Sequence, residues 1–549
     1  MCELTANRNE PATVSCGRKD SDNRNFDLFI VGGGINGCGI ARDAAGRGLR
    51  VALAEMNDLG SATSSASTKL FHGGLRYLEY LEFRLVRESL RERETLLGIM
   101  PHISWPMRFV LPYRGDMRFA ADTPVSRLIS TMAPWMKGRR PAWLIRLGLL
   151  LYDTLGSRNI LPGTTLLDLT NCPEGQPLHT SFRQAFEYSD CWVEDSRLVV
   201  LNARDAHAHG ARIMPHTKVT AAKRDVSVWT VTCECEDGTT RDYTARALVN
   251  AAGPWVGDVL DQIQEIRTAR KIRLVRGSHI VTRRLYSHNK CYFFQGTDGR
   301  IMFAIPYERD FTLIGTTDQD HTSAADKPEC SDAEMDYLLE FANAYFSRPL
   351  SRKDVIWSYS GLRPLVDDGT RSAASASRDY VLELDFAGPP LLNIFGGKIT
   401  TYRRLAENAI ERLADHLSHH GLPSWTGTMP LPGGDFPVGG VEELATSLQQ
   451  SYPFLSAEWA MRLIRAYGTD ARRILGNARA VEDLGEQFPA TITARELEWS
   501  IANEWTSSGE DFLWRRTKLG LRLNPEEVRR IDLAISEIRD ELKADKVEF

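Results

Sequence analysis

Residues 26–55 read FDLFIVGGGINGCGIARDAAGRGLRVALAE, and this pattern leaves the polypeptide little choice of local structure. The apolar run 26–31 predicts a buried strand, Gly32, Gly34 and Gly37 follow at GxGxxG spacing, and an Ala-rich helical pattern continues to Gly48. A second strand over 51–54 then ends on Glu55. Gly32 allows the tight turn, Gly34 lets a pyrophosphate approach the backbone, and Gly37 lets helix pack on strand. The helix start presents free N–H groups and a favourable dipole to phosphates. Glu55, about 20 residues past the glycines, suits a ribose with a free 2′-hydroxyl and would repel a 2′-phosphate. The unit is therefore a site for FAD or NAD, and the motif by itself does not choose between them.

A chain of 549 residues exceeds one core, which predicts two or three domains. The formal net charge of -5 gives no reason to expect nucleic acid as a partner. Nine cysteines, scattered and odd in number, read as reduced cytosolic residues and not as a disulfide framework. Cys233 and Cys235 lie in an alternating, strand-like run with no second ligand pair nearby, so no metal site is expected. No apolar run approaches the roughly 18 residues of a membrane span. Residues 1–25 are polar, lack the apolar core of a secretory signal, and read as a disordered extension.

After Glu55 comes NDLGSATSSASTKLFHGGLRYLEY, whose small residues, Thr63, Ser64 and Ser67 among them, leave the backbone free to pass close to a flat or phosphorylated ligand. Lys69, His72 and Arg76 add donors there, beside Gly73 and Gly74. Residues 82–97 follow a helical period with charges at i,i+4 spacing, a solvated face without chemistry. The segment 128–155 sets Trp135 and Trp143 among Lys137, Arg139, Arg140 and Arg146, beside an apolar run. That composition fits a helix at a membrane interface, and a buried core helix explains its apolar half equally well. A helix is expected within 185–213, ended by Gly210. Antiparallel strands follow over 217–222 and 226–234, then a strand that reaches Asn250 before Ala252 and Gly253. This second strand-and-turn, far along the chain, implies that the nucleotide-binding sheet is interrupted by an insertion and rejoined.

Residues 273–363 read as strand-rich, with His279, Thr316 and Thr317 at the ends of apolar runs. Gly361 and Arg363 are expected in a turn, and Arg378 just before a strand. LLNIFGGKITTYRRLAENAIERL then gives a strand, a glycine turn at Gly396 and Gly397, and a helix opened by Lys398, Ile399, Thr400 and Thr401. Amides at such a helix start face an electron-rich ring or an anion, and Lys398 adds positive charge. A Pro- and Gly-rich stretch over 422–440 reads as a linker, beyond which only helical periodicity remains, enough for about five helices.

Ten blocks, among them IVGGGINGCGIARDAAGRGL, ATSSASTKLFHGGLRYLE, LVNAAGPWV, RGSHIV, IGTTD, YSGLRPL, FGGKITTYR and LWRRTKLG, occur in an order that resembles the bacterial FAD-dependent glycerol-3-phosphate dehydrogenases from Asp27 to the C-terminal helices. The resemblance implies an α/β plus α fold like that of D-amino-acid oxidase. A discontinuous Rossmann-like FAD domain (roughly 26–110, 185–260 and 360–420) would interleave with an antiparallel-sheet substrate domain (roughly 110–185 and 260–360), followed by an all-helical cap over 431–549. It also implies oxidation of sn-glycerol 3-phosphate to dihydroxyacetone phosphate, electrons passing through FAD to membrane quinone, in a homodimer held peripherally on the cytoplasmic membrane. By similarity, Arg76, Tyr77, Arg378 and Lys398 surround the phosphate, while His279, Thr316 and Arg363 lie nearer the reacting carbon. FAD would be held by Gly32, Gly34, Gly37, Glu55, Thr63, Ser64, Ser67, Lys69, His72, Gly73, Gly74, Ala252, Gly253, Gly361, Gly397, Lys398, Ile399 and Thr400. The general base stays open between His279 and Arg363, with Lys398 as a third catalytic group. The polar extension lies outside the family pattern, and the calcium loop of the mitochondrial relatives is absent from the sequence. Fork-shaped guanidinium donors suit a phosphate dianion, which favours this reading over an amine oxidase of the same fold. Oxygen as acceptor, giving peroxide, is the nearest alternative.

Overall fold

The computed structural model describes residues 24–115, 123–132, 141–156, 160–263, 271–296, 300–367, 379–417 and 423–547. Its first sheet contains the glycine motif. The strands run Val381–Asp385, Leu391–Phe395, Thr240–Asn250, Asn25–Val31, Val51–Ala54 and Arg212–Met214 across the sheet. Neighbours are parallel except for the edge strand Val381–Asp385. The central strands are apolar on both faces because both faces are covered: Leu28, Phe29, Ile30 and Val51 are fully buried. On one face the helix Ile35–Gly46 packs between Asp195–Ala208 and Tyr402–Leu417. A Cβ at Gly39 would stand 2.8 Å from the Tyr402 ring, so the small residue sets the approach of the two helices. On the other face Lys218–Arg224 and Trp229–Glu234 form an antiparallel extension of Thr240–Asn250. The strands come from both ends of the first 400 residues, so the sheet is discontinuous in sequence.

The second sheet has ten strands, nearly all antiparallel. Its longest ladder joins Ile272–Arg283 to Val355–Val366, with a register shift at Val281 and Thr282. Here two sequence expectations need correction. His279 lies inside the first strand and not at its end, and Arg363 lies inside the second and not in a turn. The polar run RGSH reads as a break in an apolar pattern, yet its backbone is paired with strands on both sides, and Gly277 faces Gly361 across the ladder.

Beyond the turns after residue 423, five α-helices follow: Val441–Ser451, Ala457–Tyr467, Ala471–Leu475, Ala494–Glu504 and Pro525–Val547. The unit is helical apart from a short antiparallel pair, Gln487–Phe488 with Ile492–Thr493, which periodicity could not reveal in two-residue strands. It rests on the first sheet's helix Asp195–Ala208 through buried ion pairs. Arg197 grips Glu504 with both terminal nitrogens, at 2.5 and 2.9 Å, and Arg204 reaches Asp470 at 2.8 Å.

Candidate active site

Three parallel strands, ending at Val31, Ala54 and Asn250, open onto one edge of the first sheet, where ligands bind in open α/β sheets. Gly32 adopts φ 110°, and a Cβ there would lie 2.6 Å from the Ala251 carbonyl oxygen. At Gly37 a Cβ would fall 1.9 Å from the Gly32 oxygen, so the helix sits directly on the turn. The helix begins without an acidic residue in its first turn and without a side-chain cap from Gly34. Its start is thus a ready anion site. Ser64 Oγ accepts the Ile35 N–H at 3.0 Å. Glu55 accepts the Gly33 N–H at 2.6 Å and the Asn57 N–H at 2.9 Å. Burial pushes its carboxyl pKa up, against those two bonds. Ala252 and Gly253 stand at the end of the neighbouring strand, Gly253 with φ 56°. This set fits the pyrophosphate and ribose of an adenine dinucleotide: a close backbone, a helix start facing the site and a carboxylate at the second strand's end.

A cleft of about 370 Å³ lies where the two sheets meet. Thr63, Ser67, His72, Gly74 and Tyr77 line it from the small-residue stretch, and Thr316, Gly361 and Arg363 line it from the second sheet. Gly397, Lys398, Ile399 and Thr400 close it from the turn before the helix Tyr402–Leu417. Leu75, Leu85, Phe293 and Phe303 give it an apolar part. Gly277 and Gly361 keep space open: a Cβ on the first would strike the Arg363 guanidinium at 2.4 Å, and on the second Ala66 at 2.7 Å. Lys398 Nζ stands 3.8 Å from the centre of the Tyr77 ring. Arg363 is fixed by Asp318, by the Thr317 carbonyl at 3.2 Å and by Thr316 Oγ1 at 2.9 Å. Arg378 lies outside the described residues, as do Trp135, Lys137, Arg139, Arg140 and the extension before residue 24. Arg76 is on the 3-10 stretch Leu75–Tyr80, its side chain likewise outside the description.

Four expected residues sit behind this wall or beside it. Ser64 caps the glycine helix. Lys69 is buried, with its ammonium 2.7 Å from Asp195 and 3.1 Å from the Ser65 carbonyl. Gly73 donates its N–H to the Tyr152 hydroxyl at 2.7 Å. His279 is buried, stacked on Tyr359 at 4.7 Å, with Nε2 3.0 Å from Thr68 Oγ1. Burial, then Arg363 and Lys69, push its pKa well below the ordinary histidine range, which keeps the ring neutral.

Sequence reasoning missed several groups of the site. Thr68 lines the cleft between it and His279, and Asp318 lines it beside Arg363. Asp195 accepts Ser67 Oγ at 2.7 Å as well as Lys69, which holds the loop in place. Asp190 also lines the cleft, paired with Arg93 at 2.5 Å and accepting from Tyr152 at 2.7 Å. Burial pushes its pKa up to about 6, against the pull of Arg93 and Tyr152. An acid following an aromatic strand, as in EYSD, was the available signal, but nothing in the sequence named its partners.

Comparison with known proteins agrees with this geometry. Residues 27–403 match the family described as FAD dependent oxidoreductase, and residues 424–548 match the C-terminal domain of alpha-glycerophosphate oxidase. The chain is 47% identical to the D-erythritol 1-phosphate dehydrogenase of Brucella abortus, covering 91% of this chain and 96% of that one. It is 46% identical to the glycerol-3-phosphate dehydrogenase of Pseudomonas aeruginosa, over 92% and 94% of the two chains. Against the aerobic glycerol-3-phosphate dehydrogenase of Escherichia coli the identity is 44%, over 92% and 96%. Among solved structures, the glycerol-3-phosphate dehydrogenase of Bacillus halodurans complexed with FAD superposes with a TM-score of 0.68 at 25% identity, over 95% of both chains. The expected fold class, a D-amino-acid-oxidase-like FAD fold with a helical C-terminal unit, is therefore the observed one. With the dinucleotide turn and the cationic cleft in one molecule, this chain is an FAD-dependent oxidoreductase and belongs to the glycerol-3-phosphate dehydrogenase family.

Proposed function

We propose that the enzyme oxidises the C2 hydroxyl of sn-glycerol 3-phosphate to the ketone of dihydroxyacetone phosphate. The single observation that carries this reading is the convergence of Arg363, on one strand, and Lys398, on a separate helix-opening turn, into the same cleft. Bound FAD supplies the acceptor for the hydride leaving C2. The chain's own groups do the rest. Lys398, Tyr77 and, from the resemblance, Arg76 and Arg378 bind the phosphate dianion. Arg363, its fork fixed by Asp318 and Thr316, steadies the oxygen from which the proton departs. That proton passes to Thr68 Oγ1, which donates its own to His279 Nε2, 3.0 Å away. A neutral, weakly basic imidazole is sufficient there, because hydride loss makes the hydroxyl strongly acidic.

The acceptor in this reading is membrane quinone, reached from the membrane surface. Support comes from the helix Ala142–Leu155, which buries Ile145, Leu149 and Tyr152 while leaving Trp143 58%, Leu147 45% and Leu150 58% exposed. Among the described residues no helix is long and apolar enough to cross a membrane. A second substrate, D-erythritol 1-phosphate, is favoured by the 47% identity to a dehydrogenase of that name. It carries one more CHOH unit on the same phosphate monoester. The test is anaerobic titration of the purified protein with each phosphate, following the flavin absorbance band. Bleaching by glycerol 3-phosphate at lower concentration than by erythritol 1-phosphate supports the first substrate, and the reverse order supports the second. Bleaching by neither sinks both. Re-oxidation by a soluble quinone without peroxide then distinguishes the dehydrogenase from an oxidase.

A further inference from the structure

Glu55 is carried by a short turn, and the next acid in that turn, Asp58, is 2% exposed and faces away from the sheet toward the C-terminal unit. There it meets two guanidinium groups. Arg516 donates to both Asp58 oxygens, at 2.6 and 2.7 Å, and Arg515 Nε donates to Oδ2 at 2.6 Å. Arg516 is fully buried, and its Nε and Nη2 also donate to the Glu504 carbonyl. Both arginines belong to one wide helical turn, Asp511–Arg516. Two residues on, Lys518 Nζ donates to Ser196 Oγ at 2.9 Å, and the Ser196 N–H donates to Asp195, which holds Ser67 and Lys69. Trp514 of the same segment stacks on Trp357, 4.4 Å away, on the strand that carries Arg363. Asp58, His216 and Asp511 also approach closely enough to suit a cation, but the two guanidinium groups already supply the positive charge.

One eight-residue segment of the C-terminal unit thus grips the ribose-side turn, the loop along the cleft and the strand behind it. We propose that residues 511–518 are a positioning element of the FAD site, with Arg516 acting through Asp58 on the turn that carries Glu55, so that FAD affinity is set in part by the C-terminal unit. A carboxylate held by two buried guanidinium groups has no cheap alternative position, because moving it would leave the buried Arg516 without the carboxylate that it grips. The turn is also tied at its far end, where the Gly60 N–H donates to the Gly33 carbonyl at 3.0 Å. Freedom at Asp58 is therefore passed to Glu55 and to the glycine turn.

The test is FAD dissociation from the holoprotein, read as flavin fluorescence recovered on dilution, in Asp58→Asn, Arg516→Lys and Arg204→Ala. The first two should weaken FAD binding tenfold or more. Arg204→Ala, which cuts a different ion pair between the same two units, should change it less than twofold. Equal weakening in all three would mean general loosening and would overturn the proposal, as would unchanged affinity in the first two. Should the variants fail to fold, the unmodified protein decides by reciprocity: FAD must slow amide hydrogen exchange across 511–518 if that segment raises FAD affinity. Equal exchange with and without FAD would reject the coupling.

Discussion

In the proposed mechanism Arg363 steadies the reacting oxygen, and in the structure it lines the cleft with its guanidinium pinned by Asp318, Thr316 and the Thr317 carbonyl. Arg363→Ala removes the cation and leaves the Asp318 carboxylate facing an anionic substrate. Turnover should fall by about 10²–10³-fold or more, with the yellow cofactor retained at full occupancy. Arg363→Lys should recover only part of that loss, because an ammonium keeps the charge but not the fork. Turnover within a few-fold of wild type in the alanine variant would remove Arg363 from the mechanism. The Gly32 turn was legible in the sequence because its φ of 110° is a constraint of the residue's own backbone, which favours glycine. The distant Ala251 carbonyl, 2.6 Å from any Cβ there, enforces the same choice without leaving a local signal. Asp195 was not legible, because an acid at a helix start looks like an ordinary helix-opening residue, and its actual partners Lys69 and Ser67 lie well over 100 positions away.

Elements were legible where both faces of a strand are buried or one face of a helix is. The strand Val51–Ala54 has the bounds its apolar run predicts, and the helix expected over 82–97 runs Phe83–Ile99. Ile272–Arg283 and Val355–Val366 were harder, because RGSH and YSG place polar and glycine residues where a cleft, and not a core, faces the sheet. A pattern read for burial sees an interruption where the ladder continues. The helix Ala142–Leu155 poses the opposite problem, since its inner face packs in the core and its outer face is apolar without a partner among the described residues. If the outer face meets lipid, Trp143→Asp together with Leu150→Asp removes an aromatic anchor and an apolar contact from the interface. The double variant should stay in the supernatant when vesicles rich in anionic lipid are sedimented, while its flavin spectrum is unchanged. Sedimentation equal to wild type would show that this face does something else.

At the level of the whole molecule, buried ion pairs join the helical unit to the rest of the fold, beside the stack of Trp514 on Trp357. The paired residues lie as far as 458 positions apart, which is why no local pattern announced them. The buried carboxylates of the helical unit, within it and toward the first sheet's helix, set how the protein responds to acid. Burial raises the Asp511 pKa, but the Ser507 hydrogen bond and Arg515 outweigh it and bring the group from 3.8 to about 2. Burial likewise opposes ionisation of Glu504, and Arg197 and Arg204 hold its pKa below the ordinary 4.5. Both folded values are depressed, so between the ordinary and the folded pKa the unfolded chain binds more protons. Stability from these groups is therefore complete above about pH 4.5 and is lost as pH falls toward 2. For Asp511 the contribution is about 2 kcal/mol. Asp511→Asn should be less stable than wild type by about that amount near neutrality, with the gap closing as pH falls through this window in urea unfolding curves. Because these pairs are buried, salt at about 1 M, where the Debye length is about 3 Å, should barely alter the gap. A gap that stays constant with pH, or one that salt abolishes, would mean that the ionised Asp511 carboxylate does not stabilise the helical unit.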